Sequence, residues 1–162
     1  MQTIIRGFAN VWRFGGRNAR SEFWPYAGAV VALYLIVGWA VALPTFLPLL
    51  SESSSASVSG AANPFMLTCI LMFGALVALL AAAVARRLHD TGRSAFWGLI
   101  PLPFVAFSSV MLLRLTANFD AGRPDFRLFL SAFVSNLLYF AAVVWLIVLL
   151  ALPSAPGRNR FG

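Results

Sequence analysis

Lysine is absent from this 162-residue sequence, histidine and cysteine occur once each, and only five residues are acidic. Charged residues make up 10% of the chain and hydrophobic ones 60%, whereas a soluble domain carries about 25% charged residues. Too few polar groups are present to cover a soluble protein of this size, so the composition is that of a membrane protein. The single cysteine, Cys69, excludes an intramolecular disulfide, and with one histidine no His/Cys set for a structural zinc is available. Paired carboxylates, a phosphate-binding glycine loop and a nucleophile spaced to a base are also missing, so neither an enzymatic reaction nor a cofactor is expected. No apolar run lies within the first ~15–30 residues ahead of a small-residue cleavage site, so a cleaved signal peptide is not expected either.

What the chain does have is arginine and long apolar runs. All 12 basic residues are Arg, and they set the net charge at +7. In a soluble protein that charge would suggest nucleic acid, but here it sits between apolar stretches and fits the anionic surface of a bilayer instead. A helix needs about 20 apolar residues to cross the hydrocarbon core. Four stretches meet that requirement, at about residues 26–50, 65–85, 95–113 and 128–152. They are continuously apolar without period-two alternation, which favours helices over barrel strands. Pro44 and Pro48 near the end of the first, and Pro101 and Pro103 near the start of the third, are expected kink or termination points. Ahead of the first span, Met1, Ile4, Ile5, Phe8, Val11 and Trp12 recur at helical spacing among Gln2, Thr3, Arg6, Asn10 and Arg13, the pattern of an interfacial amphipathic helix over residues 1–14. The expected fold is all-α, one domain over residues 1–162, a four-helix transmembrane bundle with this interfacial helix in front.

Arginine placement sets the orientation. Arg6, Arg13, Arg17, Arg20, Arg86, Arg87, Arg93, Arg158 and Arg160 fall on one side of the alternating spans; Arg114, Arg123 and Arg127 fall on the other, diluted by Asp120 and Asp125. The positive-inside rule puts both termini and the 86–94 connection in the cytoplasm. The Ser-rich stretch that starts at Ser51 then reads as a flexible external loop.

Three polar segments share the cytoplasmic side: residues 16–24, 86–97 and 156–162. They hold the only histidine and two of the five acidic residues. Gly92 is expected to end the second span in a left-handed turn, with Ser94 capping the third, and Ser21 is a candidate cap for the first. Continued helically, Arg86, His89, Asp90 and Arg93 would share a face. A short repeat, Arg20-Ser21-Glu22-Phe23-Trp24 and Arg93-Ser94-Ala95-Phe96-Trp97, reads either as a duplicated hairpin or as two independent uses of a cap and an aromatic belt.

Gly16-Arg17-Asn18-Ala19-Arg20-Ser21-Glu22-Phe23-Trp24, the string Arg86-Arg87-Leu88-His89-Asp90-Thr91-Gly92-Arg93-Ser94 and the ending Asn159-Arg160-Phe161-Gly162 together resemble the bacterial membrane family catalogued as domain of unknown function 805. The resemblance covers nearly the whole chain and implies a small, multi-pass protein of the bacterial inner membrane, without implying a reaction. The 114–127 connection is longer than that family suggests.

The candidate site is therefore a cytoplasmic cluster of Arg17, Arg20, Glu22, Arg86, Arg87, His89, Asp90, Arg93, Asn159 and Arg160, with no metal. Its first reading is structural, a set of ion pairs such as Arg17 or Arg20 with Asp90 and Arg86 or Arg87 with Glu22 that fixes helix order. Its second is recognition of anionic lipid headgroups or another phosphate-bearing ligand, since arginine forks match phosphate. A transporter or channel subunit is a third, carried only by Thr68, Ser131, Ser135 and Asn136, because the spans hold no ionisable residue. The small residues Gly74, Ala75, Ala78, Ala81 and Ala82 let another helix approach, within the bundle or in a homo-oligomer or other membrane partner.

Overall fold

A computed structural model describes residues 2–50, 58–123 and 125–157, with side chains described except at 45–50, 58–66, 119 and 120. Within these residues the chain is helical and has no strand. The helices are α1 (Gln2–Ala9), α2 (Arg20–Leu50), α3 (Val58–Asp90), α4 (Pro101–Asp120) and α5 (Phe126–Ala151), with a 3-10 turn at Ala95–Leu99 ahead of α4. Four segments, Arg20–Pro44, Leu67–Asp90, Ala95–Asn118 and Phe126–Ala151, are long and apolar enough to cross a membrane, and only 11–17% of the most apolar stretch of each is buried. Such helices leave most of their apolar side chains outward, which water would penalise and lipid does not.

Several boundaries differ from the sequence expectation: α1 ends at Ala9, short of residue 14, and α4 runs to Asp120, past residue 113. Helix α2 starts at Arg20, six residues before the apolar run, because the Ala19 carbonyl accepts the amides of both Glu22 and Phe23. Ser21 therefore lies inside the first turn and not at its cap. The same helix runs through Pro44 and Pro48 to Leu50, so neither proline ends it. Helix α3 keeps Arg86, Arg87, His89 and Asp90 in its last turn, and it starts at Val58, where a loop is expected from sequence; the Ser-rich residues 51–57 lie outside the described residues. Pro101 and Pro103 occupy the first turn of α4, where the missing amide hydrogens have no intrahelical acceptor to lose.

The chain divides into two compact units, residues 1–14 with 18–83 and residues 15–17 with 84–162. In the first, α1 packs on α2 through Tyr26. The Phe8 and Tyr26 rings meet edge to face with centroids 5.2 Å apart. Gly7 lies so close to the Tyr26 ring that a Cβ there would stand 2.2 Å from Cδ2. The Tyr26 hydroxyl donates to the Leu79 carbonyl at 2.8 Å, so one wholly buried side chain ties α1, α2 and α3. Of the small-residue stripe on α3, Ala82 is buried, while Gly74, Ala75 and Ala78 are exposed and a Cβ on Gly74 would meet nothing within 4 Å. The stripe is thus covered at its Ala82 end only.

In the second unit α4 and α5 form an antiparallel pair joined by a short connection. Gly122 takes φ +67°, and the Arg123 amide returns to the Asn118 carbonyl at 2.9 Å, closing α4. Asp125 caps α5 by accepting the Arg127 amide at 2.8 Å. Buried hydroxyls tie the pair: Ser135 Oγ donates to the Phe104 carbonyl at 3.4 Å, and Asn136 Nδ2 donates to Ser108 Oγ at 3.3 Å. Ser131 instead bonds back to its own helix at Arg127. The polar residues of these spans act as interhelical and intrahelical ties.

Candidate functional site

The last turn of α3 organises the second unit. Gly92, with φ +78°, ends the helix in a Schellman motif: the Gly92 amide bonds the His89 carbonyl at 3.0 Å and the Arg93 amide bonds the Leu88 carbonyl at 2.8 Å. That reversal turns Arg93 off the helix, so it does not share a face with Arg86, His89 and Asp90 as the uninterrupted spacing would have it. Ser94, in extended backbone, then accepts the Phe96 amide and caps the 3-10 turn that leads into α4. The turn sits close against α3: a Cβ on Gly98 would approach Val84 Cγ1 to 3.0 Å.

Asp90 is the centre of the cluster. Its carboxylate accepts Arg17 Nε on one oxygen at 3.1 Å and both Arg87 Nη1 and Ser154 Oγ on the other. An aspartate at the last position of a helix faces the negative end of the helix dipole, an unfavourable location in isolation. The two guanidinium groups reverse that cost. They also reach the end of α5 and the segment that follows it. Arg87 Nε donates to the Leu150 carbonyl at 2.9 Å and Nη2 to the Leu152 carbonyl at 2.5 Å. Arg17 Nη2 donates to the Ala155 carbonyl at 2.9 Å and Nη1 to the Gly157 carbonyl at 2.8 Å. The Ala155 amide completes the strap by donating to the Asp90 carbonyl at 2.8 Å.

Burial and charge make this a firm arrangement. The Arg87 side chain is 0% exposed, that of Asp90 7% and that of Arg17 24%. Two guanidinium charges face one carboxylate, leaving an excess of +1. Helices α3 and α5 both end here, and each helix C-terminus carries about −0.5 of a charge, so the two ends together offset that excess. Orphan carbonyls at the end of α5 also gain donors that would otherwise have to be water.

Of the sequence candidates, the fold brings Arg17, Arg87 and Asp90 into direct contact. Arg86 is buried and His89 half-buried on the same turn of α3, and Arg93 is half-buried beyond it. Arg20 and Glu22 open α2 in the first unit and are exposed. The Arg17–Asp90 pair is one of the expected partnerings, and Arg87 pairs with Asp90 one turn along its own helix. Asn159 and Arg160 lie outside the described residues. Sequence reasoning missed Ser154 and the four carbonyl acceptors, which have no side-chain signature, and it missed Tyr26 as the tie of the first unit. Pro153, which keeps the chain after α5 from continuing as helix, was the available signal for a strap.

The two copies of the short repeat are also used differently. Phe23 on α2 is buried, while Phe96 is among the most exposed residues of the second unit, so the repeat does not mark two equivalent packing sites. Among the described residues, no group of three or more His, Cys, Asp or Glu is placed to hold a metal ion.

The specific string that builds this turn, from Arg86 to Ser94, lies within the match to a family model, that of the protein of unknown function DUF805, which extends over residues 11–162. The chain belongs to the DUF805 family. No curated protein and no solved structure matches it. In this DUF805 chain the string codes for a helix end, a left-handed turn and a cap, and it supplies Asp90 and one of the two clamping arginines, Arg87.

Proposed function

We propose that this protein is a multi-pass component of the bacterial inner membrane, with both termini cytoplasmic, whose Arg17–Asp90–Arg87 cluster fixes its conformation and is not a catalytic centre. The observation that carries this reading is where the guanidinium donors go: all three nitrogens of Arg17 and all three of Arg87 donate to Asp90, Ser154 or main-chain carbonyls. Arg87 so engaged is poorly placed to grip a phosphate, which would have to displace it at the full cost of leaving buried acceptors unpaired, and Arg17 would first have to give up three bonds. The ties made by Ser135 and Asn136 likewise favour a packing role over a conduction path for the polar residues in the spans.

The reading is tested with Arg17→Ala, whose side chain is the accessible member of the cluster. Purified protein is compared with the wild type in two measurements: unfolding in mixed micelles, and the anionic lipid retained in native mass spectra. A loss of stability with unchanged lipid supports a conformational lock. A loss of bound phosphatidylglycerol with unchanged stability refutes it and favours headgroup recognition at the cluster. Orientation is checked separately, by labelling single cysteines at Ser94 and Gly122 from outside intact cells in a Cys69→Ser background; only the cysteine at position 122 reacts if the 86–94 connection is cytoplasmic.

A further inference from the structure

The N-terminal segment carries a surface that the clamp does not use. Residues 1–20 hold four arginines and no acidic residue. Of these arginines Arg17 is spent in the clamp, while Arg6 and Arg13 are exposed. On a helix, residues are 100° apart, so on α1 Ile5 and Phe8 fall within an arc of about 60°, with Arg6 about 100° to one side of Ile5. Turns at Asn10 to Trp12 follow Ala9 and bring Trp12 and then Arg13 after it. Ile5 is 65% and Trp12 78% exposed, a cost in water that a lone surface helix of this length could not offset.

Depth decides what meets this face. Gly7 and Phe8 pack against Tyr26, and Tyr26 lies six residues into a helix that opens at Arg20, about 9 Å along its axis at 1.5 Å per residue. If α2 crosses a bilayer, α1 is therefore held level with the boundary between headgroups and acyl chains, where an amphipathic helix buries its apolar side about 5–10 Å deep. We infer that α1 docks on an anionic lipid surface, with Ile5, Phe8 and Trp12 in the acyl boundary and Arg6 and Arg13 on headgroup phosphates. The inference rests on the membrane-spanning reading of α2.

The test uses the full chain with Cys69→Ser, reconstituted into vesicles of phosphatidylcholine alone or of an equal mixture with phosphatidylglycerol. Alkaline washing first establishes that the protein is inserted, independently of where α1 lies. Nitroxide labels are placed singly by Ile5→Cys, Asn10→Cys and Trp12→Cys, and their accessibility to oxygen and to a water-soluble nickel chelate is read by electron paramagnetic resonance. Asn10 is four residues after Arg6 and about 140° from Ile5, so in the mixed vesicles the labels at positions 5 and 12 are expected to favour oxygen, and the label at position 10 the nickel reagent. Arg6→Gln with Arg13→Gln should lower the docked-to-free ratio about 30-fold, from about 1 kcal/mol per arginine at an anionic surface, while the two Lys replacements should keep it. Equal water access at all three positions overturns the docking. Protection of positions 5 and 12 from both reagents, as a protein partner would give, overturns it too. Identical behaviour in both vesicle types, or of the Gln and wild-type proteins, overturns the role of the anionic headgroups.

Discussion

Replacing Asp90 by alanine removes one carboxylate and leaves two guanidinium groups facing each other, one of them fully withdrawn from solvent. Breaking a buried ion pair by deleting one partner costs about 3–5 kcal/mol, because the remaining charge is uncompensated. Asp90→Ala is expected at or above the top of that range, since Arg87 keeps its position through Leu150 and Leu152 and cannot escape to water. Arg87→Met preserves bulk and leaves Asp90 paired with Arg17, so its cost is that of two helix-end carbonyls losing their donors, about 2–4 kcal/mol. Arg17→Ala loses three bonds in a partly wet place where water can substitute, about 1–2 kcal/mol. The assay is reversible unfolding in mixed micelles of a mild detergent with rising dodecyl sulfate, followed by far-ultraviolet circular dichroism. The order Asp90 > Arg87 > Arg17 follows from the geometry. So does a failed exchange: Arg17→Asp with Asp90→Arg sets the new guanidinium against Arg87 and cannot rescue, whereas removing all three charges with Arg17→Met, Arg87→Met and Asp90→Leu should cost less than the sum of the single variants. An Asp90→Ala variant within about 1 kcal/mol of wild type, where 3–5 is expected, or a rescue by the two-residue exchange, would refute the shared-carboxylate argument.

Two further outcomes follow from the glycines. Gly7→Ala places a methyl group inside the Tyr26 ring's contact distance, so α1 should be displaced from α2 and become the first site of proteolytic cleavage, with the far-ultraviolet spectrum nearly unchanged. Gly92→Ala meets only ordinary contact at Ala155 but must hold a left-handed backbone, so it should destabilise by about 1–2 kcal/mol in the same unfolding assay, and Gly92→Asn by less.

How much of this was legible beforehand varies from residue to residue. Gly92 and Ser94 announced a turn and a cap because glycine and serine at those places satisfy orphan amides and carbonyls locally, within a few residues. The Arg17–Asp90 contact was foreseeable as one of several pairings, since so few acidic residues are present to choose from. The Arg87–Asp90 pair was not legible because a sequence does not say which way a side chain leaves its helix, and Ser154 gave no signal because a carbonyl clamp depends on where the chain after α5 comes to lie. The half-open stripe at Gly74 and Ala78 shows the same gap: small residues permit a close approach without stating that a neighbour arrives.

The sequence by itself determined the solvent and the elements. Apolar runs longer than a bilayer core needs, with charge confined to their ends, allow only helices, because backbone amides away from water must be satisfied within their own segment. It also determined the local stop at Gly92, whose positive φ angle suits glycine above all other residues. Only the tertiary structure decided which charges are shared. Asp90 becomes the hub because the 15–17 segment, the end of α3 and the strap after α5 converge on one carboxylate, and the interaction falls off with distance and is strong only where water is excluded. Burial of that kind is a property of the assembled chain and has no counterpart in the spacing of its residues.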